Sequence, residues 1–203
     1  AGSDKVVTMH STDLTGGAYH IDPVLDDYAQ LKDLVKAEYI VDFATSARVL
    51  ALAQDTLGDL LEVTQDTAWY WSVGLTDEFA FLRGLEKLLY DFYEEPDGIH
   101  ALMEILCQGQ LERLDYLEAN ELPGADFSGQ VGTRHLWGLA ESQVTVGISP
   151  DMFAEFIFPY QKRVMERFGL SCYGCCEPMD NRIDLVKTVK NLRRVSVSPW
   201  ANK

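Results

Sequence analysis

Cys172, Cys175 and Cys176 fall within five positions of one another in Ser171-Cys172-Tyr173-Gly174-Cys175-Cys176-Glu177-Pro178, while the fourth cysteine, Cys107, stands alone. Thiols crowded beside a carboxylate are the raw material of a metal site or of thiol chemistry. A second polar group occurs in His135-Leu136-Trp137-Gly138-Leu139-Ala140-Glu141-Ser142-Gln143, where a strand would put Glu141 and Gln143 on one face, able to bind a metal or orient a substrate. A third, Trp69-Tyr70-Trp71, offers rings on which a flat ligand such as a tetrapyrrole or corrin can stack, although such rings more often fill cores. Cys172 and Cys176 read first as small packing residues. A redox pair of Cys172 with Cys175 is disfavoured: such pairs sit at helix starts, and these two fall in an expected strand with opposed side chains.

The chain that must position these groups has 203 residues, 47% hydrophobic and 24% charged, which suits a single folded domain over 1–203. Its net charge of −15 repels phosphate backbones, and Arg193-Arg194 is only a short basic pair, so nucleic acid is not an expected partner. Small molecules or proteins are expected instead. No apolar run approaches the ~20 residues of a membrane span. The uneven cysteine spacing does not resemble a secreted disulfide framework, which predicts a cytoplasmic protein. Neither a GxGxxG nor a GxxxxGK[ST] nucleotide motif occurs.

Residues 1–22 are polar and rich in Gly, Ser and Thr and read as irregular. Asp22-Pro23 predicts a helix carrying Leu25, Tyr28, Leu31 and Leu34 at helical spacing. A second helix is expected from Asp42 to Gly58, followed by a strand at Asp59–Val63. A long helical stretch from Thr76 to Tyr93 is interrupted at Gly84, and Pro96 opens another that runs to about Glu118. Leu122–Gly129 reads as a loop and Leu136–Val146 contains a strand. Ser149-Pro150-Asp151 is a strong helix start, and Pro159 predicts a kink by stripping the Glu155 carbonyl of its donor. Strand Leu170–Cys175, helix Asp180–Lys190 and strand Leu192–Val197 then form a βαβ unit.

Four stretches of the carboxy-terminal third carry a family pattern: Ile148-Ser149-Pro150-Asp151-Met152-Phe153, Phe158-Pro159-Tyr160, Gly174-Cys175-Cys176-Glu177-Pro178 and Asn191-Leu192-Arg193-Arg194-Val195-Ser196-Val197-Ser198-Pro199-Trp200. The chain resembles the uroporphyrinogen decarboxylase-like superfamily over most of residues 20–203. That resemblance implies an α/β fold of the TIM (β/α)8-barrel type. The barrel is expected to be incomplete or truncated here, because a full one takes ~250 residues and family barrels continue past the strand near Trp200. It also implies residues omitted near Asn120-Glu121.

The resemblance further implies that Tyr173, Cys175 and Glu177 face the barrel lumen, making Cys175, Glu177 and Glu141 candidate catalytic residues. Metal would be held by Cys175, Glu177 and His135, and Trp69, Trp71 and Gln143 would contact a cofactor. The zinc-dependent members carry His-x-Cys where this chain has Tyr173-Gly174-Cys175, so a family ligand is replaced. The expected activity is methyl transfer between a corrinoid, carried by a partner protein, and a thiol activated by zinc. Two alternatives are uroporphyrinogen decarboxylation and a non-catalytic corrinoid-binding or partner-completed barrel, the last compatible with a homodimer.

Overall fold

The computed structural model describes residues 9–11, 19–34, 38–65, 72–120 and 137–202. Strands β1 (Met9–Ser11) and β2 (Tyr19–Ile21) pair antiparallel inside the segment read as irregular. The helix expected after Pro23 is a short 3₁₀ turn, Tyr28–Asp33, closed by a capping box between Asp27 and Gln30. Helix α1 (Phe43–Leu57) starts at Asp42, whose side chain accepts from the Thr45 amide at 2.9 Å.

Gly84 separates α2 (Thr76–Arg83) from α3 (Leu85–Glu94) by taking φ +83°, a conformation L side chains rarely adopt. Pro96 then opens α4 (Pro96–Ala119), where its missing N–H costs nothing. The buried face of α4, with Ile99, Leu102, Met103 and Leu106, is the centre of the hydrophobic core.

Strand β3 (Trp137–Ala140) leads through α5 (Pro150–Met152), a π-helical turn (Phe153–Ile157) and α6 (Phe158–Met165) to β4 (Leu170–Tyr173). Ser149 caps this run by accepting from the Met152 amide at 3.1 Å. The disturbance expected from Pro159 takes the form of the π turn: the Phe158 amide reaches back to the Phe153 carbonyl, widening the helix just before the residue that cannot donate. Helix α7 (Ile183–Val186), shorter than expected, leads to β5 (Leu192–Val195). β3, β4 and β5 form one parallel sheet in that order, with Ala140, Tyr173 and Val195 in register.

The (β/α)8 barrel is therefore corrected: among the described residues the parallel sheet has three strands and does not close. Closure takes eight strands, and the described part of residues 22–120 folds mainly as helices. Asp59–Val63 is not a strand. Its Leu60 and Leu61 are 74% and 63% exposed. A short apolar run becomes a strand only where a ladder partner accepts its amides, and among the described residues none does so there. Ser72–Leu75 comes closest to a further strand, through one hydrogen bond from the Val73 amide to the Leu139 carbonyl at 2.8 Å.

Candidate active site

The three parallel strands end side by side, and the loops that leave β3 and β4 hold Glu141, Gln143, Cys175, Cys176 and Glu177. Carboxyl ends of parallel strands suit ligand binding because backbones splay there and leave polar loops around a crevice. Gly174 makes the first of these loops possible. At φ +109° it passes so near β5 that a Cβ would lie 2.7 Å from the Ser196 carbonyl oxygen. Ser198 fastens the loop by donating to the Cys176 carbonyl at 2.7 Å.

Beneath the loops lies a buried polar frame. Tyr173 Oη donates to Gln161 Oε1 at 2.6 Å and also meets Ser142 Oγ, which must then be the donor. Gln161 Nε2 donates to the carbonyls of Gly74, at 2.6 Å, and Glu141, at 2.9 Å. One fully buried amide on α6 thus joins the ends of β3 and β4 to the Ser72–Leu75 segment. Arg182 makes a second tie: its guanidinium donates to Thr145 Oγ1 (2.7 Å) and to the Thr145 and Ile148 carbonyls (2.6 and 3.0 Å), and stacks 4.6 Å over the Phe153 ring.

Among the described residues two non-glycine residues adopt positive φ, and both border this edge: Leu75 at 68° and Val144 at 61°. For a β-branched or bulky side chain that conformation costs on the order of 1–3 kcal/mol and persists only where the surroundings enforce it. The turn at Val144 brings the backbone of Val144 and Thr145 near the Glu177 carboxylate, where it opposes the rise in that group's proton affinity. Thr145 Oγ1 approaches the same carboxylate at 3.5 Å.

Of the residues expected at the site, Glu141, Gln143, Cys175 and Glu177 are brought to this one edge. Trp69, Trp71 and His135 lie outside the described residues. The lumen-facing set is corrected: β4 stops at Tyr173, and the turn at Gly174 ends the strict alternation. Tyr173 is buried against α6 rather than facing an open interior. Burial holds its phenol well above its usual range, so it stays protonated and acts as a strut.

The edge is electronegative. Removal from water, aided by Glu141 and Cys176, pushes the Cys175 thiol up to about 11. Removal from water also raises the Glu177 carboxyl, against the opposing pull of the Val144 and Thr145 amides and Arg182. Asp77 is raised by burial and by the charge of Glu141, with which it lines a small cleft of about 40 Å³ beside Ser72 and Thr76.

Zinc needs about three converging protein ligands with ionisable donors. Among the described residues no three His, Cys, Asp or Glu side chains converge in that way. Tyr173, which stands where the resemblance implied a histidine ligand, is tied into the frame by its bond to Gln161. The described donor set does not fit zinc, and no step is routed through it.

Gln161, Arg182, Ser142 and Thr145 were not singled out by sequence. Gln161 and Arg182 nevertheless leave a trace there. Gln161 is a polar residue in an apolar helical stripe, between Ile157 and Met165, and Arg182 is the residue before α7, four positions ahead of the buried Val186. No protein-family model, curated protein or solved structure matches this chain.

Proposed function

We propose that the chain is a uroporphyrinogen decarboxylase-like enzyme that transfers a methyl group from a corrinoid donor to a small-molecule thiol. The observation that supports this most is the placement of Glu177: a carboxylate at the open end of a parallel sheet, approached by Thr145 Oγ1 at 3.5 Å, two residues from a Cys175 that feels the charge of Glu141. Its raised proton affinity makes it a better base towards a thiol than an ordinary surface carboxylate.

A thiol seated at this edge passes its proton to Glu177. Its sulfur forms the new bond to the methyl carbon while the bond from that carbon to the donor breaks, the electron pair staying with the donor. Cys175 remains protonated and can direct its S–H toward the incoming sulfur. Gln143 and Glu141 flank the substrate. Four free cysteines would suit a reducing cytoplasm.

The test is loss of methylcobalamin absorbance on mixing protein, methylcobalamin and a set of small thiols. Turnover that falls about 100-fold in Glu177→Gln agrees with a general base. Absence of turnover with every thiol overturns the reading, and anaerobic conversion of uroporphyrinogen to coproporphyrinogen would replace it with decarboxylation. Metal analysis of the wild type and Cys175→Ser, in the same preparations, decides whether Cys175 draws on His135 to hold zinc.

A partner-completed arrangement has one observation in its favour: α1 buries no residue and leaves Phe43, Val49 and Leu52 more than half exposed. Sedimentation that shows only monomer would remove it.

A further inference from the structure

Helix α1 carries what burial it has on one side. Ser46, Leu50 and Ala53 are half-buried and recur at helical spacing, so they share the face that meets the rest of the chain. The opposite face, with Ala44, Arg48, Ala51, Leu52 and Asp55, is exposed along its length. No residue of α1 is fully buried. A helix this short is only marginally stable in water unless a face of it is packed, so the bare side is the natural place for a cover.

Charge indicates what that cover is. Two copies of a chain with a net charge of −15 repel, and they associate most readily through a face whose own charges cancel. Arg48 and Asp55 are the only charged residues of α1, and they lie two turns apart on the bare face. Among the described residues neither side chain has an ion-pair or hydrogen-bond partner. When α1 lies antiparallel against the same helix of a second copy, centred between Ala51 and Leu52, Arg48 of each copy meets Asp55 of the other. A parallel pairing would instead set Arg48 against Arg48. The antiparallel contact is self-complementary, as a two-fold interface requires. Ala51, small and central, lets the two backbones approach to the near end of the ~8–10 Å range of packed helices.

We propose that the bare face of α1 docks a second copy of this chain, the two helices packing antiparallel with an Arg48–Asp55 pair on either side of Ala51 and Leu52. A single helix pair covers less than the ~1,200–2,000 Å² of a stable complex, so the dimer is weak and reversible. This gives the partner-completed arrangement a definite interface. It does not depend on methyl transfer, since a protein inactive with methylcobalamin would dimerise all the same.

Sedimentation equilibrium of the full chain, over a concentration series up to about 1 mM, reads the dissociation constant. Arg48→Asp sets carboxylate against carboxylate at both ends of the contact, and Asp55→Arg sets guanidinium against guanidinium. Each should raise the constant about tenfold, the sum of two lost surface pairs and two repulsions. The two variants shift the net charge in opposite directions, so general repulsion between copies would move their constants apart. Combining Arg48→Asp with Asp55→Arg rebuilds both pairs and should return the constant to near the wild-type value. Both positions are exposed, and circular dichroism checks that the variants fold. A monomer at every concentration, single variants that leave the constant unchanged or move it in opposite directions, or a double variant as weak as the singles would each overturn the proposal. The wild-type series needs no variant.

Discussion

Tyr173 and Gln161 are joined by a 2.6 Å hydrogen bond from phenol to amide oxygen, and the amide nitrogen is spent on the Gly74 and Glu141 carbonyls. The residue that ends β4 and the residue in the middle of α6 therefore decide together where the loops of the candidate site begin. Tyr173→Phe leaves Gln161 Oε1 without that buried donor and should cost about 1–2 kcal/mol. Gln161→Ala strips two buried carbonyls as well and opens a void, for about 3 kcal/mol. Urea unfolding of both variants gives the comparison, and an equal or smaller loss for Gln161→Ala would contradict the frame.

A second buried tie lies away from the site. Arg83 forks onto Asp91, with Nε to Oδ2 at 2.6 Å and Nη2 to Oδ1 at 3.0 Å, while Tyr28 donates to Oδ2 at 2.7 Å. The same guanidinium donates to the Leu25 and Asp26 carbonyls, fastening the segment before the 3₁₀ turn to α2. Asp91→Ala leaves that charge buried without its counter-ion, an expected loss of about 3–5 kcal/mol. A thermal midpoint that hardly moves would show that the pair is dispensable.

The carboxyls of Asp77, Glu78 and Glu177 are raised chiefly by removal from water. The folded chain holds these protons at pH values where the unfolded chain has released them. Their contribution to stability is present at low pH and is lost as pH rises through the raised values. In Glu177→Gln that loss should be shallower than in wild type as pH rises from the ordinary carboxylate range, read from urea midpoints. Superimposable profiles would show that Glu177 titrates alike in both states.

Thiol reactivity should separate the neighbouring cysteines. Cys176 is exposed, whereas Cys175 is partly covered and has its thiol pushed up to about 11. At neutral pH iodoacetamide should label Cys176 first. Labelling of Cys175 should climb about tenfold per pH unit below that value, since the thiolate is the nucleophile. Cys107, buried and also raised to about 11, should stay protected until unfolding. Peptide mass spectrometry of timed samples reads all three, and Cys175 reacting first at neutral pH would place a positive charge beside it.

How much of this was legible depended on whether the signal was local. Asp42 as a cap, Gly84 as a break and Ser149-Pro150 as a start act through their own backbone, and each appears where local chemistry puts it. The reactive loop Gly174–Glu177 and the pair Glu141 and Gln143 were legible as residue types, and β3 and β4 bring them to one edge.

Closure of the sheet was not legible. The apolar run Asp59–Val63 had a strand's composition, yet a strand exists only where another backbone accepts its hydrogen bonds. The sequence by itself determined the caps and breaks at Asp42, Gly84 and Ser149, the acidic charge and the cluster of thiols and carboxylates. Only the tertiary structure decided that the parallel sheet has three strands among the described residues, and that Tyr173 is a buried strut on Gln161. Those outcomes rest on contacts between residues 12 to 87 positions apart, as between Tyr173 and Gln161 or Gln161 and Gly74, whose energies no local pattern records.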